Sequence, residues 1–367
     1  MLKSIFLQNF RSYQKAEFNF GETTLVIGPN TSGKSNLIEA IYLLSTGKSF
    51  RTDKDTQMLT FREEVGRVRG NTTIPSTGHS TVSSDRIGSG QLEELEVVIT
   101  NGQLNGKSQY KKFLVNGASK RRVDFAGHLS AVLFSPQDLE IIIESPSLRR
   151  NFLDEVLEQV NREYRAANLA FSKALRQRNA LLELARETGK RNEKQFDYWD
   201  NLVIENGNVI TQKREEFINF LNASAKGIFD FVAEYDKSGI SAQRLLQYRE
   251  EEVAAGVTLV GPHRDDFSVS MFNNSKNTTH DVKFFGSRGQ QRLTILQLKI
   301  LELLFVEKIL GERPILLLDD IFSELDEDHI ILILEEIGKQ QTIITTTHKE
   351  FIPKKLLKSM RIVNLAE

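Results

Sequence analysis

The string Gly28-Pro29-Asn30-Thr31-Ser32-Gly33-Lys34-Ser35 has the spacing G-x-x-x-x-G-K-[ST], a loop whose backbone N–H groups cradle nucleotide phosphates. Within it, Lys34 is the residue that reaches the β- and γ-phosphates, and the Ser35 hydroxyl is the one that coordinates Mg²⁺. The flanks fit. Thr24 to Ile27 is a short apolar run suited to a buried strand, and Asn36 to Leu44 has helical spacing, so a phosphate would meet a helix N-terminus. A second pair of groups lies far along the chain. The apolar run Ile315-Leu316-Leu317-Leu318, typical of a parallel strand covered on both faces, ends in Asp319-Asp320. Mg²⁺ takes carboxylate oxygens beside phosphates, a role that suits Asp319. Asp320, one residue off the strand end, is placed to polarise an attacking water.

Such groups need a scaffold. The 367 residues suit two or three domains, with 40% hydrophobic and 26% charged residues, ample for a core. A net charge of −1 means that any nucleic-acid binding comes from local patches. With no cysteine, disulfides, thiolate metal sites and cysteine nucleophiles are excluded. Met1 to Phe10 alternates like a strand rather than a signal peptide, and no apolar stretch approaches the roughly 18 residues of a membrane span. The expectation is a soluble, cytoplasmic chain in a reducing compartment, without a membrane partner.

Residues 1–27 read as two strands broken near Gly21-Glu22. Residues 60–125 hold short alternating strands, with hairpin turns signalled at Asn101-Gly102, Asn105-Gly106 and Asn116-Gly117. The Ser/Thr/Gly-rich stretch 71–91 reads as a mobile loop. From about residue 147 the period turns helical. Leu153, Val160, Ala167, Ala174 and Leu181 recur every seventh residue, with Leu157, Tyr164 and Phe171 as a second seam that Arg178 interrupts. After the turn Gly189-Lys190-Arg191-Asn192 comes a second such helix with Phe196, Val203, Ile210 and Phe217, its other seam interrupted by Asn206 and Lys213. Two readings stand, a projecting helical hairpin or a compact helical subdomain, and the favoured expectation is a mixture of them, a stubby arm packed on extra helices up to about residue 250. The α/β pattern resumes after Val257-Thr258-Leu259-Val260, with a further strand at Gln341 to Thr346. The fold class is therefore α/β. A split nucleotide-binding head has an N-terminal half with an antiparallel β lobe (1–146), an inserted helical arm domain (147–253) and a C-terminal half (254–367).

Further strings carry a resemblance. Ser287-Arg288-Gly289-Gln290-Gln291 opens an apolar helix and resembles the signature motif of ABC-type ATPases, which binds the γ-phosphate held by the other subunit's P-loop. Ser323-Glu324-Leu325-Asp326 resembles the D-loop, through Ser323 and Asp326. His348, after Thr345-Thr346-Thr347, falls where the switch residue is expected, and Gln137 where a Q-loop glutamine touches Mg²⁺ and water. The long separation of Gln137 from Ser287 matches the SMC-like branch rather than transporter ATPases. Asn9-Phe10-Arg11-Ser12-Tyr13, Phe134 to Leu139, Arg149-Arg150-Asn151-Phe152-Leu153-Asp154, Gly261-Pro262-His263-Arg264-Asp265-Asp266 and Leu317 to Asp326 together resemble the RecF family of bacterial DNA replication and repair proteins, over essentially the whole chain. Thr31-Ser32 stands where relatives frequently carry a glycine, and residues 71–91 look enlarged.

The resemblance implies a homodimer that closes on two ATP molecules. Lys34, Ser35 and Asp319 of one protomer would face Ser287, Gly289 and Gln290 of the other, with Asn36 extending the ATP-binding loop and Arg11 near the nucleotide. Asp320, Gln137 and His348 join Lys34 as the catalytic candidates, and whether Asp320 or Gln137 does more to activate water stays open. ATP and Mg²⁺ are the implied cofactors. The implied partners are double-stranded DNA, junctions between single- and double-stranded DNA, and RecO- and RecR-type mediators, which places the protein on the nucleoid. Candidate DNA contacts are Lys111, Lys112, Lys120, Arg121 and Arg122, with further basic clusters at Arg162/Arg165, Arg176/Arg178 and Lys190-Arg191. The competing functions are a transporter motor subunit, an architectural SMC-like protein and a small-molecule kinase; the last has no use for a signature string. The string 261–266 suggests no chemistry beyond a compact turn.

Overall fold

A computed structural model describes residues 1–73, 92–102, 110–273, 278–323, 330, 332–333, 335–347 and 349–365. The chain divides into two compact units, one of Met1–Asp138 with Lys299–Glu367 and one of Leu139–Leu298.

The first unit begins with β1 (Leu2–Phe10), β2 (Tyr13–Asn19) and β3 (Thr23–Ile27). The expectation of two strands over residues 1–27 is thus corrected to three. The extra break falls at Arg11-Ser12, where no glycine or proline marks it. Asn9 and Arg11 turn the chain with φ of 49° and 52°, and tertiary hydrogen bonds hold them there: the Arg11 amide donates to Met58 O, and the Thr60 amide to Asn9 O. Helix α1 (Lys34–Thr46) follows, then β4 (Val65–Thr73), β5 (Leu92–Thr100), β6 (Lys111–Val115), β7 (Ala118–Lys120), the turn-length α2 (Arg122–Phe125) and β8 (Ala131–Phe134).

Strands β2-β1-β4-β5-β6-β7 form a six-stranded sheet, antiparallel throughout. The turn at Asn116-Gly117 is as read: both residues have positive φ, 49° and 78°, the geometry of a two-residue hairpin. Residues 71–73 belong to β4 rather than to a loop. The remainder of that loop and Asn105-Gly106 lie outside the described residues. The second sheet is parallel, in the order β14-β3-β13-β12-β8, with β12 (Ile315–Asp319), β13 (Thr342–Thr346) and β14 (Arg361–Asn364) arriving after the second unit. Helix α1 packs against strands of both sheets and is buried from Leu37 to Thr46. A helix apolar on all sides belongs inside a layered core.

The second unit holds α3 (Glu140–Ile143), α4 (Pro146–Val160), α5 (Arg162–Thr188), α6 (Glu193–Ala223), β9 (Val232–Asp236), α7 (Ala242–Gln247) and α8 (Arg249–Ala255). After them come β10 (Asp266–Asn273), β11 (Thr278–Asp281) and α9 (Val282–Phe285), and α10 (Arg288–Leu310) leads back to the first unit. Strands β11-β10-β9 make a small antiparallel sheet.

The heptad from Leu153 to Leu181 is not one helix. Asn161 leaves the helical region (φ −130°, ψ 110°) and caps α5 by accepting from the Tyr164 amide. Helices α5 and α6 pack side by side, and α8 lies against α5, so the hairpin is flanked by further helix rather than bare. Arg178, read as a seam interruption, is fully buried. Its guanidinium pairs with Asp200 at 2.6 Å and Glu252 at 2.7 Å and donates to Thr258 Oγ1, so the seam position is filled by a satisfied charge.

Candidate nucleotide site

The P-loop joins the end of β3 to α1. Gly33 caps that helix in the left-handed region, φ 100°, with no side-chain cap, which leaves first-turn N–H groups open to an anion. A Cβ at Gly33 would come within 2.9 Å of Tyr13 Oη, so glycine is required here twice over. Thr31 also has positive φ, 74°, a conformation that glycine adopts more readily. Gly28 is buried, while Pro29, Asn30 and Thr31 are exposed. Ser32 Oγ is buried without a hydrogen-bond partner among the described residues, as a phosphate cradle would leave it.

The Lys34 ammonium donates to the carbonyls of Gly28 and Pro29 at 2.8 and 2.9 Å. Burial lowers its pKa, against the pull of Asp320 and Asp319. The Ser35 hydroxyl donates to Asp319 Oδ1 at 3.0 Å, so residues 284 positions apart meet where β3 and β12 end in one parallel sheet, the end at which such sheets bind ligands. Thr345 Oγ1 on β13 donates to the same Asp319 oxygen at 2.7 Å. Burial raises the Asp319 pKa; the hydrogen bonds from Thr345 and Ser35 oppose it, Asp320 reinforces it, and Arg51 opposes it. Ser35 and Asp319 are the hard oxygen donors that Mg²⁺ prefers. Among the described residues there is no group of three His, Cys, Asp or Glu suited to a metal, so Mg²⁺ here would draw its other ligands from phosphates and water. Asp320 sits at φ 51°, and its amide donates to Thr345 O and Oγ1. A non-glycine residue held in this region is strained, a state found disproportionately at functional sites.

The string 9–13 clasps this loop. Tyr13 Oη donates to Gly33 O at 3.1 Å, and Asn36 Nδ2 donates to Ser12 Oγ at 2.8 Å. Arg11 reaches past the loop to Glu39 on α1, with Nε and Nη2 donating at 2.7 and 2.5 Å. Two residues absent from the sequence reading appear here. Glu39 is fully buried and also accepts from Ser49 Oγ. Arg51 donates to Asn36 Oδ1 at 2.8 Å, lies 3.6 Å from Glu39 and acts electrostatically on Asp319. The signal for Glu39 was present, as an acid inside an otherwise apolar helix run; Arg51 had no periodicity to betray it.

The signature residues lie in the second unit. Ser287 and Gln290 form a reciprocal capping box on α10: the Ser287 amide donates to Gln290 Oε1 at 2.8 Å, and the Gln290 amide to Ser287 Oγ at 3.2 Å. Ser287 and Arg288 are exposed. Gln291 Nε2 donates to the carbonyls of Val282 and Lys283. Gln137 is exposed on a single 3-10 turn, Pro136–Leu139, after β8. Ser323 ends another such turn, Ile321–Ser323; its side chain, Asp326 and His348 lie outside the described residues.

The strings 149–154 and 261–266 form one buried network. Arg214 on α6 pairs with Asp154 at 2.8 Å and Asp265 at 3.2 Å, and donates to Pro262 O and Tyr164 Oη. Tyr235 donates to Asp265, Arg149 pairs with Asp266 at 2.6 Å, and Arg150 donates to Asp265 O. Burial opposes the charge on Arg214, but Asp154, Tyr164 and Tyr235 together outweigh it and the guanidinium pKa rises. Gly261 (φ 124°) makes the turn that aims Pro262 O inward.

Of the candidate DNA contacts, Lys111 is held by Asp55 at 2.7 Å and Gly47 O, Arg121 pairs with Asp124, and Arg122 donates to Thr46 O. Lys112 and Lys120 are exposed. Arg165 and Arg178 are buried, which removes them from any surface cluster.

The sequence profile of the RecF/RecN/SMC N terminal domain matches residues 1–365. The chain is 34% identical to the DNA replication and repair protein RecF of Bacillus thuringiensis (strain Al Hakam), with 99% of this chain and 96% of that protein covered. It is similar to the solved structure of the recombination mediator protein RecF-ATPrS in the RecFOR pathway, with TM-score 0.82, 32% identity and coverage of 96% and 94%. The RecF-ATP structure of that pathway gives TM-score 0.81 at 32% identity, covering 96% and 93%.

Proposed function

The chain belongs to the RecF family of DNA replication and repair proteins, ATPases of the RecF/RecN/SMC class, and from that premise we propose that ATP acts in it as a removable fastener between two copies around DNA. Lys34 and the open N-terminus of α1 hold the β- and γ-phosphates, with Ser35 and Asp319 as the protein ligands of Mg²⁺. When bound, Mg²⁺ offsets charge on the phosphate oxygens. Asp320 orients the attacking water, with Gln137 as the other candidate. Glu39 holds Arg11 and Arg51, whose cationic charge lies beside the phosphates. The second copy supplies Ser287, Arg288, Gly289, Gln290 and Gln291, and hydrolysis removes the group that both copies hold.

The observation that carries this reading is the exposed capping box. Ser287 Oγ accepts from Gln290, which leaves its own O–H to donate outward. Among the described residues, a Cβ at Gly289 would meet only Ser287 Oγ at 3.9 Å. No packing among them calls for glycine, a poorer helix former than alanine, at this position; an incoming phosphate does.

The closed pair grips double-stranded DNA or junctions of single- and double-stranded DNA, with Lys112, Lys120 and Arg121 as outward cations, and promotes recombinase loading with RecO- and RecR-type mediators. Hydrolysis is slow, and its product is release. The test combines ATPase rate, with and without duplex DNA, and molecular mass in ATP. Duplex is expected to stimulate hydrolysis, ATP to double the mass, and Lys34→Ala to lose both. A persistent monomer with no response to DNA sinks the reading.

A further inference from the structure

We propose that Phe284 and Phe285, beside the signature, form an apolar rim that docks on the nucleotide rim of a second copy at Phe61. This rests on the ATP-driven pairing argued above and names the surface that completes it. Phe284 is 72% exposed, Phe285 67% and Phe61 84%, an unusual state for the largest purely apolar side chain type.

The backbone beneath the two phenylalanines is fixed. Val282 is fully buried, the Asp281 side chain caps α9 by accepting from the Lys283 amide, and Lys283 Nζ donates to Glu144 O at 2.9 Å. Gln291, one turn into the signature helix, ties α9 to α10 through the carbonyls of Val282 and Lys283. Phe284 and Phe285 are therefore presented in a set relation to Ser287, two residues further on. The ring of Phe285 lies 5.4 Å from that of His280, and Lys283 Nζ 5.5 Å from the Phe284 ring.

Phe61 belongs to the turn that fixes Arg11. Thr60 binds Asn9 O through its amide and Arg11 O through its hydroxyl, and the Arg62 guanidinium lies 5.3 Å from the Phe61 ring. Arg11, held by that turn, is followed in the chain by Ser12 and Tyr13, which touch the P-loop. Each half of the composite site thus carries exposed aromatic surface on a pre-formed backbone, and pairing in trans covers one with the other. Preorganised aromatics are the side chains from which interface hot spots are built. A second copy is the occupant chosen because both rims adjoin the groups that would share one nucleotide; a mediator protein would need only one of them.

The test compares the parent chain, Phe284→Ser/Phe285→Ser and Phe61→Ser in a non-hydrolysable ATP analogue with Mg²⁺, reading dimer dissociation by mass and nucleotide affinity by fluorescence of a labelled analogue. At protein concentrations too low for pairing, the variants are expected to bind nucleotide like the parent, and at higher concentrations to weaken the dimer by roughly tenfold or more. Because the chain has no cysteine, Phe61→Cys and Phe285→Cys proteins can also be mixed with a bismaleimide, and a covalent dimer is expected only with nucleotide. A parent that dimerises while the variants dimerise equally well, with no nucleotide-dependent cross-link, overturns the rim alone. A parent that stays monomeric overturns both the rim and the pairing beneath it.

Discussion

Burial raises the pKa of Asp319, and the hydroxyls of Thr345 and Ser35 offset this only in part. A carboxylate that binds a cation must first lose its proton, so proton and metal compete. The proton's hold is stronger here than on a free aspartate of pKa 3.8. Mg²⁺ affinity of the nucleotide complex should therefore weaken on acidification at a higher pH than an ordinary carboxylate would give. Asp319→Asn should bind Mg²⁺ more weakly and lose this part of the profile. Mg²⁺ titrations of a fluorescent nucleotide complex across a pH series check it, and an unchanged profile in the variant contradicts the assignment. Glu39 shows the other solution for a buried carboxylate. It is fully enclosed, but Arg11 and Ser49 satisfy it, so its charge is spent on holding Arg11 rather than on a ligand.

The network of α4, α6, β9 and β10 explains why two of the most recognisable strings have no place in the nucleotide chemistry. Arg149, Asp154, Asp265 and Asp266 are committed to one another and to Arg214, and His263 sits among them. Its Nε2 lies 3.0 Å from Thr258 O and its ring packs on Phe171. Burial lowers its pKa from 6.5 to about 4; the bond to Thr258 and the charge of Asp265 oppose this, while Arg264 and Arg150 add to it. The folded state then takes up the proton less readily than the unfolded one, so stability falls as pH drops through the window from 6.5 to about 4. Between pH 7 and about pH 5 the loss from this group is about 2 kcal/mol. Trp199 on α6 is the chain's single tryptophan, so its fluorescence in urea reports this unit. His263→Gln should flatten the dependence, and an equal slope in the variant contradicts it. Element by element, legibility followed locality. The P-loop, the Asn116-Gly117 hairpin and the parallel strands carry their signals within a few residues. The helix break at Asn161 is a local cap that a heptad count passes over, whereas the β1–β2 break at Arg11 and the buried charge of Arg178 depend on partners tens of positions away, which no local period records.

The molecule as a whole is almost neutral, with 48 basic and 49 acidic residues, and many of its cations are already engaged. Lys111, Arg122 and Arg178 all bind their own chain. A lone copy therefore offers a phosphate backbone only the cations left outward on this face, such as Lys112 and Lys120, whereas two copies held together would bring both sets onto one ligand. Salt dependence separates these cases, because each phosphate neutralised releases counterions and steepens the slope of log affinity against log salt by about 0.9. Without nucleotide, duplex binding should be weak and its slope shallow. With a non-hydrolysable ATP analogue, both affinity and slope should rise together. If the closed pair neutralises roughly six phosphates, affinity should fall by about 10³ between 50 and 200 mM salt. Lys34→Ala should keep the shallow slope whatever nucleotide is added. Filter binding or fluorescence anisotropy over a salt series measures all of these. A slope that is the same with and without nucleotide would mean that one copy carries the whole DNA surface, and the fastener reading would then have to yield to a monomeric binder whose ATP serves some other step.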